Sequence, residues 1–248
     1  GHEATAKAPP DGYTLMLAST PFVLNPILNA KVGYDTSRDF APIALVATLP
    51  NVLAVHPSVP AKSLRELVQL ARANPGKLAY GSGTAGSTSH LAGELLRSLA
   101  KINILLVPYK GATFALVGAM SGEVDVVIPA ASAVESYVKA SRMRVLAVLD
   151  TKRLTSMPDV PTSAEAGMPQ LLIVNWYVLA APAGTPRAIV ERLNAEAAKV
   201  MQAPETRAYF AGIGGDPVSA TPEQTLAFLR AEHERWGKLI RETGIKAE

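Results

Sequence analysis

Residues 78–90 read Leu-Ala-Tyr-Gly-Ser-Gly-Thr-Ala-Gly-Ser-Thr-Ser-His, a run whose residue types and spacing suit the capture of an anion. Gly81, Gly83 and Gly86 let the backbone turn and approach a ligand closely. The amides that start the following helix have no partner inside it and carry partial positive charge. Ser82, Thr84, Ser87 and Thr88 add hydroxyls that can donate to carboxylate oxygens. A plain strand-to-helix turn capped by Ser87 accounts for the same residues, so both readings stand at this point. No Walker lysine follows, and the loop is neither a dinucleotide fingerprint nor a nucleophile elbow, which argues against nucleotide and acyl chemistry. For catalysis, Ser82 or Ser87 with His90 is the near pair, and His90 follows Ser87 by three residues on one helix instead of meeting it from another element.

Other chemistry finds little support. The 248 residues contain no cysteine, which excludes disulfides and thiolate metal sites. The four histidines, at 2, 56, 90 and 233, share no metal-ligand spacing on one helix face. Lys plus Arg number 24 against 21 Asp plus Glu, and the excess is spread without a basic run, so nucleic acid is not an expected partner. No apolar run approaches the roughly 20 residues needed to span a bilayer, so direct membrane insertion is not expected. No stretch has the basic start, apolar middle and small-residue cleavage site of a secretory signal. With 48% hydrophobic residues, the chain can bury one large or two small cores.

The elements that must position the loop follow from the apolar pattern. Strands are expected over 13–18, 43–47, 51–56, 104–107, 124–128, 144–149 and 173–181, and helices over 22–29, 114–121 and 134–139. A capping-box order at Ser63-Leu64-Arg65-Glu66 starts a helix that Asn74-Pro75-Gly76 stops. Another helix runs from the opening loop through Lys101 on a Leu91, Leu95, Leu99 stripe. Thr185-Pro186 begins a helix carrying Ile189, Leu193, Ala197 and Val200 inward, and Thr221-Pro222-Glu223-Gln224 begins the last one, with its charged side solvated and His233 a packed or surface residue. Residues 1–10 read as a short polar lead into a turn. Strands alternating with helices imply right-handed crossovers, a mostly parallel sheet and strand-end turns gathered along one edge. Ser19 and Thr20, after the first strand, and Tyr109, Gly111 and Ala112, after the 104–107 strand, are further binding candidates, because open α/β sheets place ligands at such ends.

Five passages taken in order carry a resemblance: Pro10-Asp11-Gly12-Tyr13-Thr14-Leu15; Gly81-Ser82-Gly83 with Gly86-Ser87 and His90; Val107-Pro108-Tyr109-Lys110-Gly111; Gly122-Glu123-Val124-Asp125; and Trp176 with Ala181-Pro182-Ala183-Gly184-Thr185-Pro186. The ordered set resembles the tripartite tricarboxylate transporter substrate-binding proteins, the Bug family of extracytoplasmic solute receptors. The resemblance implies an α/β periplasmic binding protein of type II: two lobes of mixed, mostly parallel sheet flanked by helices and hinged by two crossing strands. Lobe 1 would be 1–55 with 179–248, and lobe 2 would be 56–178. The implied function is capture of a small organic carboxylate in the interlobe cleft and delivery to permease subunits, in the periplasm, with no cofactor and no metal. Relatives hold carboxylates through backbone amides, hydroxyls and waters, which implies contacts from Ser19, Thr20, Ser82, Thr84, Gly86, Ser87, Thr88, Tyr109, Gly111 and Ala112. Trp176 either walls the cleft or is a buried aromatic at the crossing.

Two departures shape the expectation. Relatives begin with a further strand and helix before the Pro-Asp-Gly-Tyr turn, and a lobe without them would expose a sheet edge and associate or swap segments. Where many relatives place an acidic residue after the Val-Asp strand, this chain has Pro129, which favours a plain carboxylate or aromatic acid over a ligand with an ammonium group. Two rivals to transport remain open: a hydrolase or transferase using the loop as an anion cradle, and a ligand-sensing receptor for a sensor kinase.

Overall fold

The chain leaves one structural unit at Thr48 and returns to it at Asn175, so unit 1 comprises Gly1–Thr48 and Asn175–Glu248, and unit 2 comprises Leu49–Val174. The computed structural model describes residues 1–29, 31–84 and 87–244, the side chain of Thr243 excepted.

Unit 1 starts with α1 (His2–Ala6), β1 (Met16–Ala18), α2 (Pro21–Leu28) and β2 (Phe40–Pro50). Residues 1–10 are thus partly helical, and His2 packs its ring against Phe22 and Tyr34 at 5.4 and 5.2 Å. The expected strand over 13–18 shrinks to three residues, because Tyr13 is 94% exposed and only Met16 and Ala18 reach the core. Unit 2 contains β3 (Val52–Val55), α3 (Leu64–Ala73), β4 (Ala79–Ser82), α4 (Thr88–Ala100), β5 (Leu105–Pro108), α5 (Ala112–Ser121), β6 (Val126–Val127), α6 (Ala131–Lys139) and β7 (Arg144–Val148). The return to unit 1 adds β8 (Val174–Pro182), α7 (Arg187–Gln202), α8 (Pro204–Gly212), β9 (Asp216–Pro217) and α9 (Pro222–Thr243).

The sheet of unit 1 has the order β1-β8-β2-β9 and that of unit 2 the order β5-β4-β6-β3-β7. Parallel pairing joins β4 to β5 and to β6. Strand β3 runs antiparallel to β6 and β7, so the sheet of unit 2 is mixed, while in unit 1 β1 runs antiparallel to β8 and β2 to β9. This pairing puts the unit boundaries earlier than 55 and 178. Val52–Val55 is sewn into the sheet of unit 2, whereas Trp176 and Val178 pack with Met16, Phe22 and Leu229 in the core of unit 1.

Each sheet buries what its pattern offers. In unit 2, Val52, Ala54, Val127, Val145 and Val148 meet Ala115, Leu116 and Ala119 of α5 and Val134 of α6. In unit 1, the second sheet face packs Ile43, Ala44 and Ala181 against Val190, Leu193 and Ala197 of α7. The inward stripe of α7 therefore starts at Val190 instead of Ile189, and Val200 stays 55% exposed. Ile189 turns instead toward the positive-φ turn at Gly12, whose missing side chain leaves room for it. Helix α8 and strand β9 have no counterpart in the periodicity, since α8 buries no side chain among its described residues and β9 is two residues long.

The caps at Ser63 and Thr221 are as the residue order anticipates, whereas α7 starts with Pro186 at its N-cap and no side-chain cap, the Thr185 hydroxyl donating to the Pro182 carbonyl at 2.8 Å instead. Ser63 accepts from the Glu66 amide at 3.2 Å. Thr221 and Gln224 form a complete reciprocal box. His233 is exposed on α9, but Glu232, on the side expected to be solvated, is buried. Among the described residues, no helix is long and apolar enough to cross a membrane.

Candidate functional site

Parallel strands β4 and β5 end side by side, with Ser82 in register with Pro108 and the Ser82 carbonyl accepting the Tyr109 amide at 2.9 Å. Each strand is followed in the chain by a short connection and a helix, so the starts of α4 and α5 come to the same sheet edge in unit 2. The register of two short parallel strands therefore brings two sets of unpaired helix-start amides together.

Gly83 sits where they meet. A methyl group at its α-carbon would lie 3.0 Å from the hydroxyl oxygens of both Ser87 and Ser89 and 3.5 Å from the backbone nitrogen of Ala112. Hydrogen in that position leaves a small space walled by two hydroxyls from the α4 start and one amide from the α5 start. The Gly83 amide donates to Ser89 Oγ at 2.8 Å. Ser87 Oγ caps α4 by accepting the His90 amide at 3.2 Å, and it lies 3.1 Å from Ser89 Oγ. One of the two hydroxyls donates to the other, which leaves one hydroxyl hydrogen without an acceptor among the described residues and free for a ligand oxygen.

The loop is held from below. Tyr80 is fully buried and donates to the Ser89 carbonyl at 2.6 Å, and burial pushes its phenol far above the usual range. Helix α4 lies directly on that ring. A Cβ at Gly93 would be 2.5 Å from Tyr80 Cε1, so the absence of a side chain there sets the height of the loop.

The expected site residues are placed as follows. Ser82 is 1% exposed, its hydroxyl donating to the Gly83 carbonyl at 3.0 Å, so it shapes the turn. Thr84 is exposed and its carbonyl accepts the Ser87 amide at 3.0 Å. Thr88 opens α4 and is half-buried. Gly86 lies outside the described residues. Gly111 caps α5 in extended backbone, accepting from Phe114 and Ala115, and Ala112 contributes the amide facing Gly83. Tyr109 differs: its ring packs into the unit 2 core and its hydroxyl is buried against Gly118 near Glu123. Burial, with Glu123, raises its pKa. The hydroxyl thus points away from the assembled loop, because Gly118 leaves room for it inside.

Ser19 and Thr20 belong to unit 1. Ser19 accepts the Phe22 amide at 2.8 Å; Thr20 is 2% exposed, and its hydroxyl has no partner among the described residues. Ser89 was not singled out by the sequence, although its place two residues after Ser87 was the available signal. His90 meets Ser87 through its backbone amide, which is a cap and not a base–nucleophile contact. Among the described residues, no cluster of His, Asp or Glu could hold a metal. Trp176 is buried in the core of unit 1.

Comparison with known proteins bears on this geometry. The family model described as the tripartite tricarboxylate transporter family receptor matches residues 1–245. Protein BugT of Bordetella pertussis is 37% identical over 250 residues, covering 99% of this chain and 76% of BugT. The solved structure of Rpa4515 of R. palustris with adipate superposes with a TM-score of 0.86 at 34% identity, over 99% of this chain and 82% of that one. MatC of Rhodopseudomonas palustris with bound malate gives a TM-score of 0.81 at 27% identity, over 96% and 83%.

Proposed function

The chain belongs to the tripartite tricarboxylate transporter receptor family, a family of extracytoplasmic solute receptors and not of enzymes, and from that premise we infer that it captures a small dicarboxylate or aromatic acid in the periplasm and hands it to a tripartite permease. The observation that carries this reading is the space over Gly83, bounded by the Ser87 and Ser89 hydroxyls and the Ala112 amide. A carboxylate placed there accepts from one free hydroxyl and from helix-start amides, charge-assisted contacts that need no cationic side chain. In unit 1, the reading assigns ligand contacts to Ser19 and Thr20. The bound acids of two similar structures, adipate and malate, have the same chemistry.

Receptor action needs no bond to be made or broken. The ligand favours a closed form only by as much as it binds that form better than the open one. A micromolar dissociation constant corresponds to about −8 kcal/mol, within reach of a few charge-assisted hydrogen bonds. Calorimetry and thermal shift with adipate, malate, benzoate and aspartate test the reading. Plain acids are expected to bind and raise Tm, while aspartate, with its ammonium group, binds more weakly because Pro129 offers no acidic partner. Replacing Ser82 and Ser87 by alanine is expected to weaken the binding. Unchanged affinity in that variant puts the ligand elsewhere, and turnover of any of these acids would return the enzyme reading.

A further inference from the structure

Trp176 and Trp236, the two tryptophans of the sequence, donate their indole N–H groups to one oxygen, Oε2 of Glu232, each at 2.9 Å. Arg235 donates to the other carboxylate oxygen at 3.2 Å, and its guanidinium lies 4.7 Å from the centre of the Trp236 ring. Phe228 meets Trp176 edge-on at 5.5 Å. Positions 228, 232, 235 and 236 share one face of α9, so a single helix face grips one residue of β8. A buried carboxylate is tolerated only when its oxygens are satisfied, and here both are.

The place of this clamp in the chain matters more than its strength. Trp176 follows Asn175, the first residue of unit 1 on the return crossing. Just before the crossing, Ile173 is held inside unit 2, its amide donating to Leu149 at 2.9 Å and its carbonyl accepting from Asn51 at 3.1 Å. Segments that absorb backbone rotation in such proteins are a few residues flanked by rigid ones. We propose that Glu232 is a positioning residue that fixes the unit 1 end of this crossing, confining any bending to the stretch between Ile173 and Trp176 and so setting ligand affinity from outside the ligand site.

The affinity part of this inference rests on the receptor reading above; the local-rigidity part does not. The test uses the full chain carrying Glu232→Met, which keeps the side-chain length and leaves no oxygen for either indole N–H or for the guanidinium. Hydrogen exchange of ligand-free protein is expected to speed up at residues 174–178 relative to α7, and indole fluorescence to change. Adipate or malate affinity is expected to fall about fivefold or more, the usual lower scale of coupling between separate sites. A lowered Tm with unaltered exchange at 174–178 and unaltered affinity assigns Glu232 to core packing alone and overturns the proposal, as does no change in any readout. If Glu232→Met does not fold, Trp236→Phe removes one donor while keeping an aromatic ring, and the same shifts, smaller, are expected from it. If the unaltered protein binds none of the acids, the receptor reading fails, and the exchange data still decide the clamp.

Discussion

The Gly83 amide donates to Ser89 Oγ at 2.8 Å, tying the residue after β4 to the first turn of α4. This bond uses Ser89 as the acceptor that shapes the loop and leaves the Ser87–Ser89 pair to present a donor outward. Its surroundings are buried enough that each atom added or removed has a stated consequence.

Gly83→Ala fills the space that the Ser87 and Ser89 hydroxyls and the Ala112 amide enclose, with contacts at 3.0, 3.0 and 3.5 Å. The serine side chains can give by a few tenths of an ångström, so the fold is expected to survive while the ligand oxygen loses its place. Adipate or malate affinity should drop at least about tenfold, or 1.4 kcal/mol, by calorimetry. Wild-type affinity in this variant would move the site away from Gly83.

Ser89→Ala removes the acceptor of a buried amide. Leaving such a donor unsatisfied costs about 1–3 kcal/mol. In a chain of this length each kcal/mol lowers Tm by roughly 2–4 °C, and a melting curve superimposable on the wild type would show that water replaces the hydroxyl without loss.

Gly93→Ala places a methyl 2.5 Å from the edge of the buried Tyr80 ring. Helix α4 must lift or the ring must move, at about 1–3 kcal/mol of overpacking strain. Because the Tyr80 hydroxyl holds the Ser89 carbonyl at 2.6 Å, the same variant is expected to weaken ligand binding. Urea unfolding and calorimetry together check both effects, and Tyr80→Phe, which keeps the ring and loses the hydroxyl, should reproduce only part of the binding loss.

Tyr34 stacks on Phe22, donates to the Phe22 carbonyl at 3.1 Å, and is pushed up to about 12 by burial from an ordinary 10.0. A raised folded pKa means that the unfolded chain loses its proton first. The stabilising contribution is whole below pH 10 and disappears as pH rises through 12. Alkaline unfolding between these values is expected to be steeper in the wild type than in Tyr34→Phe, and phenolate absorbance of Tyr34 below pH 12 should appear with unfolding. Parallel alkaline profiles for the two proteins would contradict this.

How far the residues themselves reach is seen at particular places. Ser63, Thr221 and Gln224 announce their caps because a cap is a local bond between residues three apart, and Ser87 announces one for the same reason. The alternation of apolar runs and helical stripes announces an α/β chain, and the ordered Gly-Ser, Pro-Tyr-Lys-Gly and Pro-Ala-Gly-Thr-Pro passages announce the family. What no local pattern contains is pairing across the chain. That Val52–Val55 joins the sheet of unit 2 was settled by its partners β6 and β7, which lie many residues downstream. The inward turn of the Tyr109 hydroxyl required the space left by Gly118, and the burial of Glu232 required an indole from β8 to arrive above it. The sequence alone thus determined the strongly periodic elements, the caps at Ser63, Ser87 and Thr221 and the loop chemistry, all set by neighbours within a few residues, whereas α1, α8 and β9 left no such signal. Tertiary structure alone decided that Ser89 and the Ala112 amide meet over Gly83, because that meeting depends on the register of β4 against β5.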